Sequence, residues 1–175
     1  MATSLCRALA IDLRSSKFGY VVFEGPQMLL DWGVMTHERR GGSSLEIEIK
    51  NLQSLFTPSI ILTRGISERY RQRQPAIRRA SQTLRTVSAK VFIAVRLIDD
   101  SSLYAFFARS ARTNKYEIAQ IIAARFPELA WHLPPRRRPW QSEPTRQMIF
   151  DAASLGIVYF AERDDDSRDA ASHSL

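Results

Sequence analysis

Apolar residues run almost unbroken from Arg7 to Leu13 (RALAIDL), as in a strand covered on both faces. A second such run, Phe18 to Glu24, follows the turn-like RSSK, and Gly25-Pro26 then breaks the chain. Met28 to Met35 comes next, apolar apart from Asp31 and Gly33. The short connections between these three runs predict an antiparallel meander. Gly41-Gly42 ends it, and Ser43 or Ser44 can cap a helix to about Phe56, with Leu45, Ile49, Leu52 and Phe56 on one stripe. SIILT, after Pro58, reads as a buried fourth strand, and its approach through a crossover helix makes it a parallel neighbour. Pro75 opens a helix to about Ala89, and Val91 to Ile98 (VFIAVRLI) predicts a fifth strand. A short helix capped within Asp99 to Ser102 then runs through Phe107, and another spans Asn114 to Phe126. A proline-punctuated loop, in which Trp131 and Trp140 are expected to be anchors, leads to a last helix, about Thr145 to Ala161. That helix is apolar almost all round, which suits packing against a sheet. The pattern is that of an α/β protein: a mixed five-stranded sheet, three antiparallel strands then two reached through helices, with helices on both faces. Residues 1–161 are expected to form one domain, with 162–175 as an acidic, disordered tail.

Charge sharpens this picture. The 175 residues carry a formal net charge of +7. Glu162 to Leu175 holds five acids and two arginines, so the body carries 23 Lys/Arg against 13 Asp/Glu. Such a surplus favours anionic partners, nucleic acid before anionic membrane. Cys6 is the only cysteine, which excludes an internal disulfide and a thiolate zinc cluster. The three histidines, His37, His132 and His173, lack metal-ligand spacing. No stretch approaches the ~18 apolar residues of a membrane span, and the N-terminal MATSLCRALAIDL, with Arg7 inside it, is too short for a signal peptide. A cytoplasmic protein is the expectation.

Two acids stand where burial makes a charge costly. Asp12 ends the first strand on the face shared with Ala8 and Ala10, and Asp151 lies in the most apolar helix between Phe150 and Ala152. If that helix crosses the first strand, both carboxylates enter one pocket, where each raises the other's pKa. Two solutions are open. A divalent cation such as Mg²⁺ takes hard oxygen ligands of this kind and, in pairs, supports phosphodiester hydrolysis. Alternatively Asp12 caps a turn at the strand end or pairs with Arg14 or Lys17, and Asp151 pairs with Arg146 or another basic residue.

The stretches LAIDLRSSKFGYVVFEG, LLDWGV and IFDAASLGIVYF resemble the RuvC-like branch of the RNase H superfamily, the Holliday junction resolvases, over nearly the whole chain up to the tail. The resemblance implies an RNase H-like fold and a metal-dependent endonuclease that hydrolyses phosphodiesters in branched DNA or structured RNA. It implies Mg (or Mn) held by a first-strand acid, matched by Asp12, and by a last-helix acid, matched by Asp151. Gly19 matches a glycine after the first turn. The chain also departs from the pattern. The fourth strand ends in Thr63 and Arg64 where the family has an acid, Ser154 stands where a second helix acid is expected, and Leu13-Arg14 replaces a small pair. Glu68 would have to supply the missing acid from the following loop; Glu143, near the last helix, is a weaker candidate. RuvC-like proteins are often dimers, so a homodimer is implied as well.

Arginines complete the candidate set. Residues 64 to 85 hold Arg64, Arg69, Arg71, Arg73, Arg78, Arg79 and Arg85 against one acid, Glu68, with Tyr70 among them. PPRRRPW adds Arg136, Arg137 and Arg138 beside Trp140, and Lys115 begins a helix. Arginines of this density hold phosphate backbones, and interleaved aromatics favour unpaired bases. The departures leave a second function open: a catalytically incomplete RNase H-fold module that binds nucleic acid without cutting it. A third is a scaffold whose basic face meets an acidic protein. The acidic tail is expected to compete with nucleic acid for the arginines.

Overall fold

The computed structural model describes residues 6–38, 42–65, 74–108, 114–138 and 140–172, with side chains left out at 42, 43 and 168–172. Five strands form one sheet: β1 (Arg7–Leu13), β2 (Lys17–Glu24), β3 (Leu29–Thr36), β4 (Ile60–Gly65) and β5 (Ala94–Asp99). Their spatial order is β3-β2-β1-β4-β5. The β1–β2 and β2–β3 pairs are antiparallel, while β4 lies parallel to both β1 and β5. This is the expected mixed sheet. Its three parallel strands end together, so Arg14, Gly65 and Asp100 follow one another along a single edge.

The helices are α1 (Gly42–Phe56), α2 (Pro75–Lys90), α3 (Asp100–Ala108), α4 (Lys115–Arg125) and α5 (Gln147–Ser172), with a short 3-10 helix at Pro127–His132. Strand alternation divides the core between the two faces. Leu9, Ile11, Phe18, Val22 and Ile61 pack under α1 and α2, against Leu45, Ile49, Ala80, Leu84 and Val87. Ala8, Ala10, Val21, Phe23 and Leu62 pack under α3, α4 and α5, against Phe107, Ile122, Phe150 and Ala153. Burying each large side chain contributes about 1.5–3 kcal/mol, and here every strand from β1 to β4 contributes buried residues.

Small residues set how closely α5 approaches the sheet. Ala8 and Ala10 lie beneath it, and Gly19, directly opposite Asp12 across β1–β2, meets the α5 backbone at Met148. A Cβ at Gly19 would overlap the Met148 carbonyl. This close approach brings α5 to the end of β1.

Several boundaries differ from the expected ones. The fifth strand begins at Ala94 rather than Val91. Helix α2 runs to Lys90, and the N–H groups of Val91, Phe92 and Ile93 bond back to Ser88 and Ala89, so the β-branched start of VFIAVRLI is spent on ending a helix. Phe92 sits at φ 57° in that turn. Helix α1 starts at Gly42, ahead of the expected serine caps, and Ser44 Oγ accepts the Glu38 N–H instead. Helix α4 begins where Asn114 was expected, with Asn114 and Glu117 forming a capping box. Pro127–His132 forms a 3-10 helix within the stretch read as loop, while Trp131 and Trp140 are 89% and 76% exposed rather than packed into the core as anchors. The last helix continues past Ala161 to Ser172, through the acidic stretch expected to be disordered. Among the described residues no helix is long and apolar enough to cross a membrane.

Candidate functional site

Asp12 and Asp151 converge on one pocket, as the sequence suggested, and both are buried, at 2% and 5% exposure. What joins them is a guanidinium. Arg14 Nε donates to Asp12 Oδ2 at 2.8 Å, and Arg14 Nη2 donates to Asp151 Oδ2 at 2.7 Å. Arg14 reaches this position because it stands two residues after Asp12, on the same side of the extended chain. Its Nη1 also lies 3.7 Å from Glu143 Oε2.

Further cations surround the pair. Arg64, which follows the β4 residue registered with Ile11, places Nε 3.3 Å from Asp12 Oδ1 and donates Nη1 to Asp100 Oδ1 at 2.5 Å. Arg64 Nε is buried and makes no hydrogen bond. Lys115, at the start of α4, donates to Asp151 Oδ2 at 3.0 Å and pairs with Glu143. Gln147, one turn before Asp151, donates to its Oδ1 at 3.1 Å. Ser154, at the position of an expected second acid, is buried and donates to the Asp151 backbone carbonyl at 2.7 Å.

The electrostatics follow from burial and these partners. Burial and the neighbouring Asp151 carboxylate push the Asp12 carboxyl above the ordinary range, against the pull of Arg14 and Arg64. Burial alone would lower Arg14, but Asp12, Asp151 and Glu143 outweigh it and raise the guanidinium further. Arg64 and Lys115 are also raised against their burial, Arg64 by Asp12, Asp151 and Asp100, and Lys115 by Asp151 and Glu143. All three cations therefore hold their charge at any physiological pH.

This donor set does not fit a divalent-metal centre. Hard cations need several free oxygen ligands, whereas Arg14 occupies an oxygen of each carboxylate and Gln147 the other oxygen of Asp151. Arg64 stands beside Asp12 where the family resemblance implied an acid, so an incoming Mg²⁺ would meet a fixed positive charge. Among the described residues no three His, Cys, Asp or Glu side chains group as metal ligands.

The pocket has a volume of about 700 Å³ and opens at the carboxyl ends of β1, β4 and β5, with Arg14, Arg64, Tyr104 and Lys115 in its walls. Ligands of open α/β sheets enter at this edge. On the α5 side a cleft of about 660 Å³ continues from Lys115 past Tyr116, Arg136, Arg137 and Glu143. Arg138 lies exposed nearby with its guanidinium 5.7 Å from the Trp140 ring. Arg78 is exposed on α2. Glu68, Arg69, Arg71 and Arg73 lie outside the described residues. Of the predicted residues the structure thus brings Asp12, Asp151, Arg64 and Lys115 into contact and sets Arg136 and Arg137 along an adjoining cleft. Glu143 is part of the cluster, and Arg14 bridges both acids rather than pairing with one. Gln147 and Asp100 were missed, although Gln147 precedes Asp151 by a helical turn, a spacing that signals contact.

No family model matches the sequence, and no curated protein does. Comparison with solved structures defines the fold class: this is the RuvC-like form of the RNase H fold. The RuvC structure of Thermus thermophilus aligns with a TM-score of 0.67 at 16% identity, over 91% of this chain and 96% of that one. T. thermophilus RuvC in complex with a Holliday junction substrate aligns at 0.66 with 13% identity, over 90% and 94%. The yeast mitochondrial Holliday junction resolvase Ydc2 aligns at 0.64 with 16% identity, over 98% and 87%.

Proposed function

We propose that this chain is a RuvC-fold module that binds branched or structured nucleic acid through a cationic pocket and does not hydrolyse it by metal-ion catalysis. The observation that carries this reading is the bridge from Asp12 through Arg14 to Asp151, with Arg64 beside Asp12. Fixed guanidinium and ammonium groups hold phosphate oxygens through charge-assisted bonds, and they need no cation to do so. Arg136, Arg137 and Lys115 extend the basic surface. The likeness to a RuvC bound to a Holliday junction supports a four-way junction as the first ligand to try.

A second reading, a Mg- or Mn-dependent nuclease using Asp12, Asp151 and Glu68, is favoured by the convergence of the two aspartates. The two readings part in one experiment: a labelled four-way DNA junction or folded RNA titrated in EDTA and in Mg²⁺ or Mn²⁺, with products run on a denaturing gel. The module reading expects equal, salt-sensitive binding in both buffers and intact strands. Metal-dependent strand cutting that Asp12→Asn abolishes would overturn it. Sedimentation of the free and junction-bound protein tests for a homodimer.

A further inference from the structure

A second cationic cleft adjoins the central pocket at β4, against α2, and shares Thr63, Arg64 and Leu97 with it. It has a volume of about 300 Å³ and is walled by Thr63, Arg64, Arg78, Ser81, Gln82, Arg85 and Leu97. Among the described residues no carboxylate lines it. The helix turns Ile77, Ala80, Leu84 and Val87 inward as buried residues, which leaves Arg78, Ser81, Gln82 and Arg85 on the face beside the cleft, at the i, i+3, i+4 and i+7 spacing of one helical stripe. Arg78 and Arg85 are both exposed, and no carboxylate among the described residues pairs with them.

The charge of α2 is itself unusual. Pro75–Lys90 contains Arg78, Arg79, Arg85 and Lys90 and no acid. Arg78 falls in the first turn, where the helix dipole is positive and disfavours a cation. An anion in the cleft relieves that repulsion, and the hydroxyl of Ser81 and the amide of Gln82 supply neutral donors for its oxygens. The arginines at the two ends of the stripe stand about 10 Å apart along the helix axis, which matches about three nucleotides of strand rise. Arg64 lines this cleft and the central pocket alike.

Building on the junction-binding reading above, we propose that this cleft is a second backbone-phosphate subsite. It holds a strand of nucleic acid as the strand leaves the central pocket, with Arg64 joining the two subsites. The ligand class is the phosphodiester backbone rather than free phosphate.

The test compares Arg78→Gln/Arg85→Gln with a control that removes the same charge elsewhere, Lys50→Gln/Lys90→Gln. Junction affinity is measured by fluorescence anisotropy across a salt series, and inorganic phosphate is titrated separately by calorimetry. The cleft variant is expected to lower the slope of log K against log salt by about 1.8, near 0.9 for each phosphate no longer neutralised, while the control stays within about 0.5. Ser81→Glu, which keeps both arginines and adds a like charge to the phosphate, should repeat the loss even if the double variant folds poorly. If wild type binds the junction and the cleft variants match it, or the control loses as much, this subsite falls and the junction-binding reading stands. If wild type binds no junction at any salt, both fall. Tight binding of inorganic phosphate that the cleft variant abolishes, with the junction slope unchanged, also overturns the backbone assignment.

Discussion

Replacing Arg14 by Gln removes the charge that bridges two buried carboxylates. Removing one partner of a fully buried pair costs about 3–5 kcal/mol, because the other charge is left uncompensated. Here the loss is smaller. The Arg14 side chain is 31% exposed, Asp12 keeps Arg64 at 3.3 Å, and Asp151 keeps Lys115 at 3.0 Å and Gln147 at 3.1 Å. We expect a destabilisation of about 2–3 kcal/mol, or a fall in Tm of roughly 5–10 °C for a chain of this size. If the guanidinium occupies the place of a divalent cation, its removal should also open that place. Millimolar Mn²⁺ should then raise the Tm of Arg14→Gln and leave wild type unchanged. At a hundredfold excess over Kd the gain is about 2.7 kcal/mol. Thermal unfolding followed by circular dichroism, in EDTA and in Mn²⁺, reads both effects. The reasoning is refuted if Arg14→Gln melts with wild type in EDTA, or if wild type gains as much from Mn²⁺ as the variant does.

Three further outcomes follow from the same geometry. Asp12 has a folded-state pKa raised above the ordinary 3.8, so its contribution to stability is fully present below that value and is lost as pH rises through the raised one. Urea unfolding at several pH values should therefore show wild type losing ground to Asp12→Asn from about pH 4 toward pH 7, and an opposite trend would contradict the burial of the charge. Gly19→Ala forces a Cβ into the Met148 backbone, which should cost about 1–3 kcal/mol by overpacking; a variant as stable as wild type would mean that α5 does not need its close approach. Deleting residues 163–175 should change junction affinity less than twofold at about 0.15 M salt. Helix α5 runs from Asp151 beside Arg14 to Tyr159 beside Cys6 at the other end of β1, which carries Asp164–Asp166 about 20 Å from Asp151, beyond the ~8 Å screening length. A large rise in affinity on deletion would restore the competition that the sequence suggested.

The order of strands and helices was legible in the chain because each element obeys its own short-range rule. Continuous apolar runs made β1 and β4, Pro75 opened α2, and Asn114 capped α4. Strand alternation was enough to put Asp12 and Arg14 on one side, and the apolar surroundings of Asp151 were enough to mark it as a buried acid in search of a partner. Where local signals compete, the sequence was ambiguous: Val91 and Phe92 have the composition of a strand and the hydrogen bonds of a helix end. The fate of the two acids was beyond any local rule. Asp12 and Asp151 are separated by 139 positions in the chain numbering, and only the depth to which α5 settles over Ala8, Ala10 and Gly19 brings Asp151 within reach of Arg14. Lys115 and Glu143 arrive from α4 and the segment before α5, and Arg64 from the register of β4 on β1. The types of residue at the site were written in the sequence, but whether a metal or a guanidinium lies between the carboxylates is a question of distances between separate elements, and packing alone answers it.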